Sequence, residues 1–239
     1  MELITNNYLD RGFQNMLLPF RCLNHLVFIS RFSIEYNCIR PHSRSYYIIS
    51  FMGVLCYIIF HSLKFFDANL TAIPNQFIQF FLKVNIIMLL IPYAGFFILN
   101  VLHRNKHVQI LLKMQKAFRI INYKRYKLAI LWNWFGVFRH IGGFIITTAY
   151  IRLLSVAEYF YTLIFFDVHI TYAISLITLI RDGVITWIAE LERHSQNLEV
   201  DKDKHDERMK KLFQAYINLM EAYEIFKKLF QVAVRILSF

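Results

Sequence analysis

Four stretches of the chain are almost continuously apolar: residues 46–66, 77–102, 128–150 and 160–180. At about 1.5 Å per helical residue each is long enough to cross a hydrocarbon layer of about 30 Å, so the pattern predicts four transmembrane helices. The first, YYIISFMGVLCYIIFHSLKFF, has no acid and carries Lys64 near one end, where its stem can lift the charge to the interface. The second contains Pro92 and Gly95, which membrane helices accept because neighbours satisfy the freed carbonyl; a kink near Pro92 is expected. The third opens with Trp132 and Trp134, fit for an interface, and holds Gly136, Gly142 and Gly143, small enough for close helix approach. Past Ile180 acids and bases are interspersed through 181–211, a cytoplasmic charged segment. From Leu212 the apolar positions Leu212, Tyr216, Leu219, Tyr223, Phe226, Phe230 and Ala233 recur every three or four residues, predicting an amphipathic helix over 212–239 that leads into a fifth span.

Composition strengthens this pattern. The chain has 239 residues, 57% hydrophobic and only 18% charged, too apolar for ordinary water-soluble domains. Gly 7 and Pro 4 are both low, which argues against turn-rich β architectures. The expected fold class is all-α, a polytopic membrane protein with long transmembrane helices. Cys22, Cys38 and Cys56 form an odd set without a CxxC, so no disulfide framework or zinc site is indicated. The first residues lack a basic flank followed by an apolar core and do not read as a cleaved leader.

The net charge of +11 fixes the expected orientation. Segment 1–45 carries Arg11, Arg21, Arg31, Arg40 and Arg44, and the 103–127 connection carries Arg104, Lys106, Lys113, Lys116, Arg119, Lys124, Arg125 and Lys127 with no acid. The 67–76 connection has no basic residue and 151–159 has only Arg152. The positive-inside rule therefore places the N-terminus and the 103–127 connection in the cytoplasm, in a multi-pass plasma-membrane protein. Asn69, in the sequon Asn69-Leu70-Thr71, then falls in an external loop as a glycosylation candidate. Bounded by spans, the basic stretch fits anionic membrane lipid as a partner better than nucleic acid, which is not expected.

Ionisable and polar groups inside spans are expensive and are candidates for function by default: Lys83 and Asn85 in the second span, Arg139 and His140 in the third, Asp167 and His169 in the fourth. With antiparallel third and fourth spans, Arg139 is expected about 16 Å and Asp167 about 10 Å below the external end. Two readings fit: an ion pair joining two helices, or the polar wall of an outward-facing cavity. Phe144, Tyr150, Tyr161 and Phe165 lie in the outer halves of the same spans and suit a pocket for a small organic ligand; an interfacial belt gives the same pattern. No Walker loop, GxSxG, HExxH or Cys/His ligand spacing occurs, and no enzyme activity, cofactor or metal is expected. His103 and His107, four apart beside basic neighbours, read as cytoplasmic surface residues.

The run NMLLPFRCLNHLVFISRFSIEYNCIRPHSRSYYIISF, with an LLP turn, an amphipathic segment and a strand-like FSIxxNxI before the first span, resembles the N-terminus of insect gustatory receptors, especially those of moths and butterflies. The basic helix expected at Asn105–Ile121 and the run LFQAYINLMEAYEIFKKLFQVAVRIL are similar to the same family's intracellular helices. The resemblance implies a seven-helix receptor with a cytoplasmic N-terminus. Such a receptor is a subunit of a homo- or hetero-tetrameric cation channel gated by a small-molecule tastant, with its ligand cavity in the outer half of each subunit. The family's Thr-Tyr motif of the seventh span does not occur, and the apolar ending VAVRILSF leads to the expectation of an incomplete seven-helix chain that binds poorly and does not conduct. A transporter fragment and a non-functional truncated product are the alternatives; no internal repeat favours the former.

Overall fold

A computed structural model describes residues 7–26, 30–67, 76–124, 126–151, 154–196 and 202–237. They form α1 (Arg11–Leu26), β1 (Ser33–Glu35), β2 (Cys38–Arg40), α2 (Arg44–Asp67), α3 (Gln76–Leu102), α4 (Arg104–Ile120), α5 (Tyr126–Ile151), α6 (Leu154–Gln196) and α7 (Lys202–Leu237). The class is all-α, interrupted by one hairpin.

That hairpin sits in the strand-like FSIxxNxI. β1 and β2 pair antiparallel with Ser33 opposite Arg40, Ile34 opposite Ile39 and Glu35 opposite Cys38. The two turn residues, Tyr36 and Asn37, have φ of 51° and 61°, the left-handed pair that a two-residue hairpin turn requires to match strand twist. Asn tolerates that conformation and Tyr36 bears it at a fully solvent-facing position. The LLP motif is not a turn: Leu17, Leu18 and Pro19 lie inside α1. Burial of Phe13, Met16, Leu17, Phe20 and Leu23, one stripe at helical spacing, carries the helix across the proline's missing N–H.

The largest core joins the hairpin, α1, α4, the second half of α6 and α7. α4 contributes Val108, Ile110, Leu111, Met114, Ala117 and Phe118, and α7 contributes Leu212, Ala215, Leu219 and Ala222. The alanines of α7 let it lie close to α4, its most extensively packed neighbour. Trp187 Nε1 of α6 donates to the Leu212 carbonyl at 2.8 Å, and Lys113 of α4 pairs with Glu221 of α7. A separate cluster, Val54, Tyr93, Phe96 and Phe97, joins α2 to α3.

Outside that core the pattern inverts. α2 exposes Ile48, Ile49, Phe51, Met52, Leu55, Ile59, Phe60 and Leu63, and α5 exposes Leu128, Leu131, Trp132, Phe135, Phe138, Ile141, Ile145 and Ile146. One described helical stretch, Val168–Gln196, is long and apolar enough to cross a membrane; Arg44–Phe60 and Leu90–Leu102 are shorter apolar stretches. α6 starts at Leu154 rather than near 160 and runs unbroken through Ile180 to Gln196, 43 residues. Hydropathy sets the sequence-based boundary, but backbone hydrogen bonding continues wherever side chains permit a helix, and charged residues permit it readily.

Gly183 marks where α4, α6 and α7 meet. A Cβ there would stand 2.8 Å from Phe118 Cε1 and 3.0 Å from Leu219 Cδ2. Phe118 is held in a stack with Tyr123, ring centroids 4.4 Å apart, and cannot easily yield. Gly183→Ala is therefore expected to cost about 1–3 kcal/mol through overpacking and to lower the apparent Tm of the detergent-solubilised chain by roughly 2–10 °C. Gly142→Ala, with nothing within 4 Å of the added carbon, should leave it unchanged. Equal melting temperatures for the two variants would refute the close packing.

Candidate functional site

Two polar features interrupt the apolar helices. The first is a side-open groove of about 490 Å³ between α5 and α6. Its walls are Leu128, Trp132, Phe135 and Ile174; its floor is Asn133, Gly136, Thr171, Ser175 and Thr178; Arg139 stands at one end and the Arg181–Asp182 pair at the other. The floor exists because two small groups meet: a Cβ on Gly136 would be 3.5 Å from Thr171 Cγ2. Asn133, buried, donates through Nδ2 to the Met16 carbonyl of α1 at 2.9 Å and accepts from Ser175 Oγ at 3.2 Å, tying three helices together. Apolar walls around a few hydroxyl and amide groups are what a small organic ligand requires.

The register of this contact corrects the expected heights. Gly136 lies against Thr171 and Asn133 against Ser175, so in this antiparallel pair the Arg139 backbone stands level with Val168, the neighbour of Asp167. The offset of several ångströms expected from the sequence disappears because α6 begins at Leu154. Arg139 is exposed in the groove. His169 is not beside it: it lies on the opposite face of α6, buried against Phe96 at 4.6 Å between ring centroids. The side chains of Lys83, Asn85, His140, Phe144, Tyr150, Tyr161, Phe165 and Asp167 fall outside the described residues, as does the whole of Asn69.

The second feature is a buried junction on that opposite face. Arg31, 2% exposed, places its guanidinium carbon 3.9 Å from the centroid of the Tyr172 ring, and its Nε donates to Asn100 Oδ1 at 3.3 Å. With Oδ1 so engaged, the Asn100 amide group donates onward to His169 Nε2 at 3.2 Å, which requires that nitrogen to carry its lone pair. His107 of α4 stands edge-on to Tyr172 at 6.2 Å. No carboxylate pairs with Arg31 among the described residues. Arg31 Nη1, His107 Nδ1 and Tyr172 Oη are buried without a hydrogen-bond partner there. Burial pulls the Arg31 guanidinium down to about 10, against the pull of Tyr172, so it remains charged at neutral pH and rests on the face of an aromatic ring.

Arg31, Asn100, His107 and Tyr172 were not legible as a group. Arg31 counted as one cytoplasmic charge among several. His107 was expected on the surface and is instead 5% exposed. The available signal was the stripe Val108, Leu111, Met114 and Phe118, which places position 107 at the edge of the buried face of α4. Among the described residues no group of three or more His, Cys, Asp or Glu side chains could hold a metal ion. Comparison of the chain with protein-family models, with curated proteins and with solved structures returns no significant match.

Three histidines around this layer are held neutral. Burial first, then the charge of Arg31 and the rings of His169 and His103, push His107 well below its ordinary 6.5. Burial, His25 and Arg21 push His42 down to about 4, against a hydrogen bond with Phe32, and burial and Arg21 lower His25. A base with a lowered folded value is protonated first in the unfolded chain, so its contribution is complete above about 6.5 and is lost as pH falls toward the folded value. The apparent Tm is expected to fall between about pH 6.5 and about pH 4, and His42→Gln with His107→Gln should flatten that slope. An unaltered slope in the double variant would show that these rings do not set the acid sensitivity.

Proposed function

We propose that the chain is the membrane-embedded part of a gustatory-type chemoreceptor, a subunit of a tastant-gated cation channel in the plasma membrane, with the N-terminus and α4 cytoplasmic. The observation that carries the membrane reading is the belt of exposed apolar side chains on α2, α3 and α5, beside a core of ordinary burial whose surface bears the charges of α4 and α7. A contiguous apolar exterior of this extent belongs in a solvent other than water. The receptor reading adds the sequence resemblance and the groove between α5 and α6, whose apolar walls and hydroxyl floor suit a small organic tastant. With α4 cytoplasmic, the groove runs from Arg139 toward the cytoplasmic ends of the two helices at Leu128 and Arg181. It therefore lies in the inner half and not in the outer half that the resemblance implies, and a tastant reaches it from its open side.

The mechanism follows from the length of α6. One unbroken helix lines the groove with Thr171, Ser175 and Thr178 and, further along, packs Leu179, Ile180 and Val184 into the core formed with α4 and α7. A ligand that binds better to one tilt of α6 biases that tilt, and the helix delivers the shift to the inner layer without a joint. Arg139, at the groove's end, supplies a charged hydrogen-bond donor; subunit partners in a homo- or hetero-tetramer would sense the inner layer.

In the full-length receptor expressed in insect cells, Arg139→Gln is expected to raise the tastant concentration for half-maximal cation current by about tenfold or more, the worth of one charge-assisted hydrogen bond. Surface expression should stay unchanged. A loss of surface expression with unaltered sensitivity of the remaining channels would make Arg139 a structural residue and remove the groove as the ligand site.

A further inference from the structure

A second concavity, about 610 Å³, lies where β2 ends and α2 and α4 begin, lined by Arg40, His42, Ser43, Arg44, Arg104 and Asn105 among others. Three arginines from three elements converge here, although Arg104 is remote in sequence from the other two. The lining contains no carboxylate, neither α2 nor α4 has an acid in its first turn, and none of the three arginines is in an ion pair among the described residues.

An aromatic stack lies beside the groove and enters its lining through His42. The Arg104 guanidinium carbon is 5.4 Å from the centroid of the Tyr47 ring, Tyr47 meets His42 edge-on at 6.3 Å, and His42 stacks on Tyr46 at 3.9 Å. His42 Nε2 lies 2.8 Å from Ser30 Oγ, which donates to the Phe32 carbonyl. The Arg104 fork thus stands over a ring held in this stack. Planar arginine forks match the oxygens of a phosphate ester.

Position decides which phosphate ester. Directly beyond the groove α2 exposes Ile48, Ile49, Phe51 and Met52, and α3 ends with Ile98 and Leu102 exposed. A cationic pocket immediately below an apolar belt fits an amphiphile whose charged end enters the pocket while its chains lie along α2 and α3. We propose that this groove binds the phosphorylated headgroup of an anionic lipid of the cytoplasmic leaflet. The proposal rests on the membrane reading above.

The test reconstitutes the full chain into phosphatidylcholine vesicles with and without phosphatidylinositol bisphosphate and measures displacement of a fluorescent short-chain analogue of that lipid. Arg40→Gln, Arg44→Gln and Arg104→Gln together are expected to weaken binding by about tenfold to a hundredfold, from the worth of a basic residue near an anionic surface. Lys116→Gln, Lys124→Gln and Lys127→Gln, an equal loss of charge outside the groove, should weaken it less than about threefold, through general potential alone. Equal losses in the two triple variants would overturn the site. Binding of soluble inositol trisphosphate as tight as that of the lipid would overturn the lipid as occupant. If the groove variant fails to insert, Arg44→Glu alone, at an exposed side chain, takes its place with the same expectation. A chain that washes off vesicles at alkaline pH refutes the membrane reading itself, whereas insertion without any headgroup preference refutes only this proposal.

Discussion

A buried positive charge, with no carboxylate paired to it among the described residues, organises the junction of α3, α4 and α6. Removing a guanidinium from water is costly unless other groups replace the hydration it loses. Arg31 obtains that replacement from an amide on α3 and an aromatic face on α6, with α4 closing the layer through His107. Arg31 thereby ties the chain just before the hairpin to α3 and α6. Burial first, and then repulsion from Arg31, keep the neighbouring His107 neutral, and its protonation state becomes part of the layer's architecture.

Around that layer the chain makes two kinds of surface. Where the C-terminal part of α6 and α7 face outward, charge pairs such as Arg193 with Glu190 and Lys211 with Glu207 cover the core. Where α2 and α5 face outward, the covering is isoleucine, leucine, phenylalanine and tryptophan. α6 passes from one regime to the other as a single helix, and its two long faces are chemically different: Thr171, Ser175 and Thr178 line the open groove, while His169, Tyr172 and Leu176 are buried. A polar stripe on an otherwise apolar helix costs little when opposed by Gly136 and Asn133, which bring α5 close enough to share hydrogen bonds.

Periodicity carried well for elements whose burial is one-sided. The basic helix expected at Asn105–Ile121 is α4, Arg104–Ile120, and the stripe from Leu212 lies on α7 with Leu212 and Leu219 fully buried. The FSIxxNxI segment forms the hairpin because Tyr36-Asn37 can take the left-handed turn. Boundaries fared worse: the helix around the fourth apolar stretch extends well beyond it at both ends. The LLP motif, read locally as a turn, is held helical by the buried side chains on either side of Pro19.

The sequence by itself determined the all-α class, the positions of the amphipathic helices and the uneven distribution of charge, since each follows from residue type and spacing along one element. It placed Arg139 and His169 in neighbouring spans but could not orient them. Only the tertiary structure decided that Arg139 opens onto a groove while His169 turns inward to Asn100, and that Arg31, one arginine among many, is buried at the junction. The physical reason is that desolvation depends on what lies across a contact. Asn100 and Tyr172 lie far along the chain from Arg31, and no local pattern encodes that α3 and α6 bring them to it.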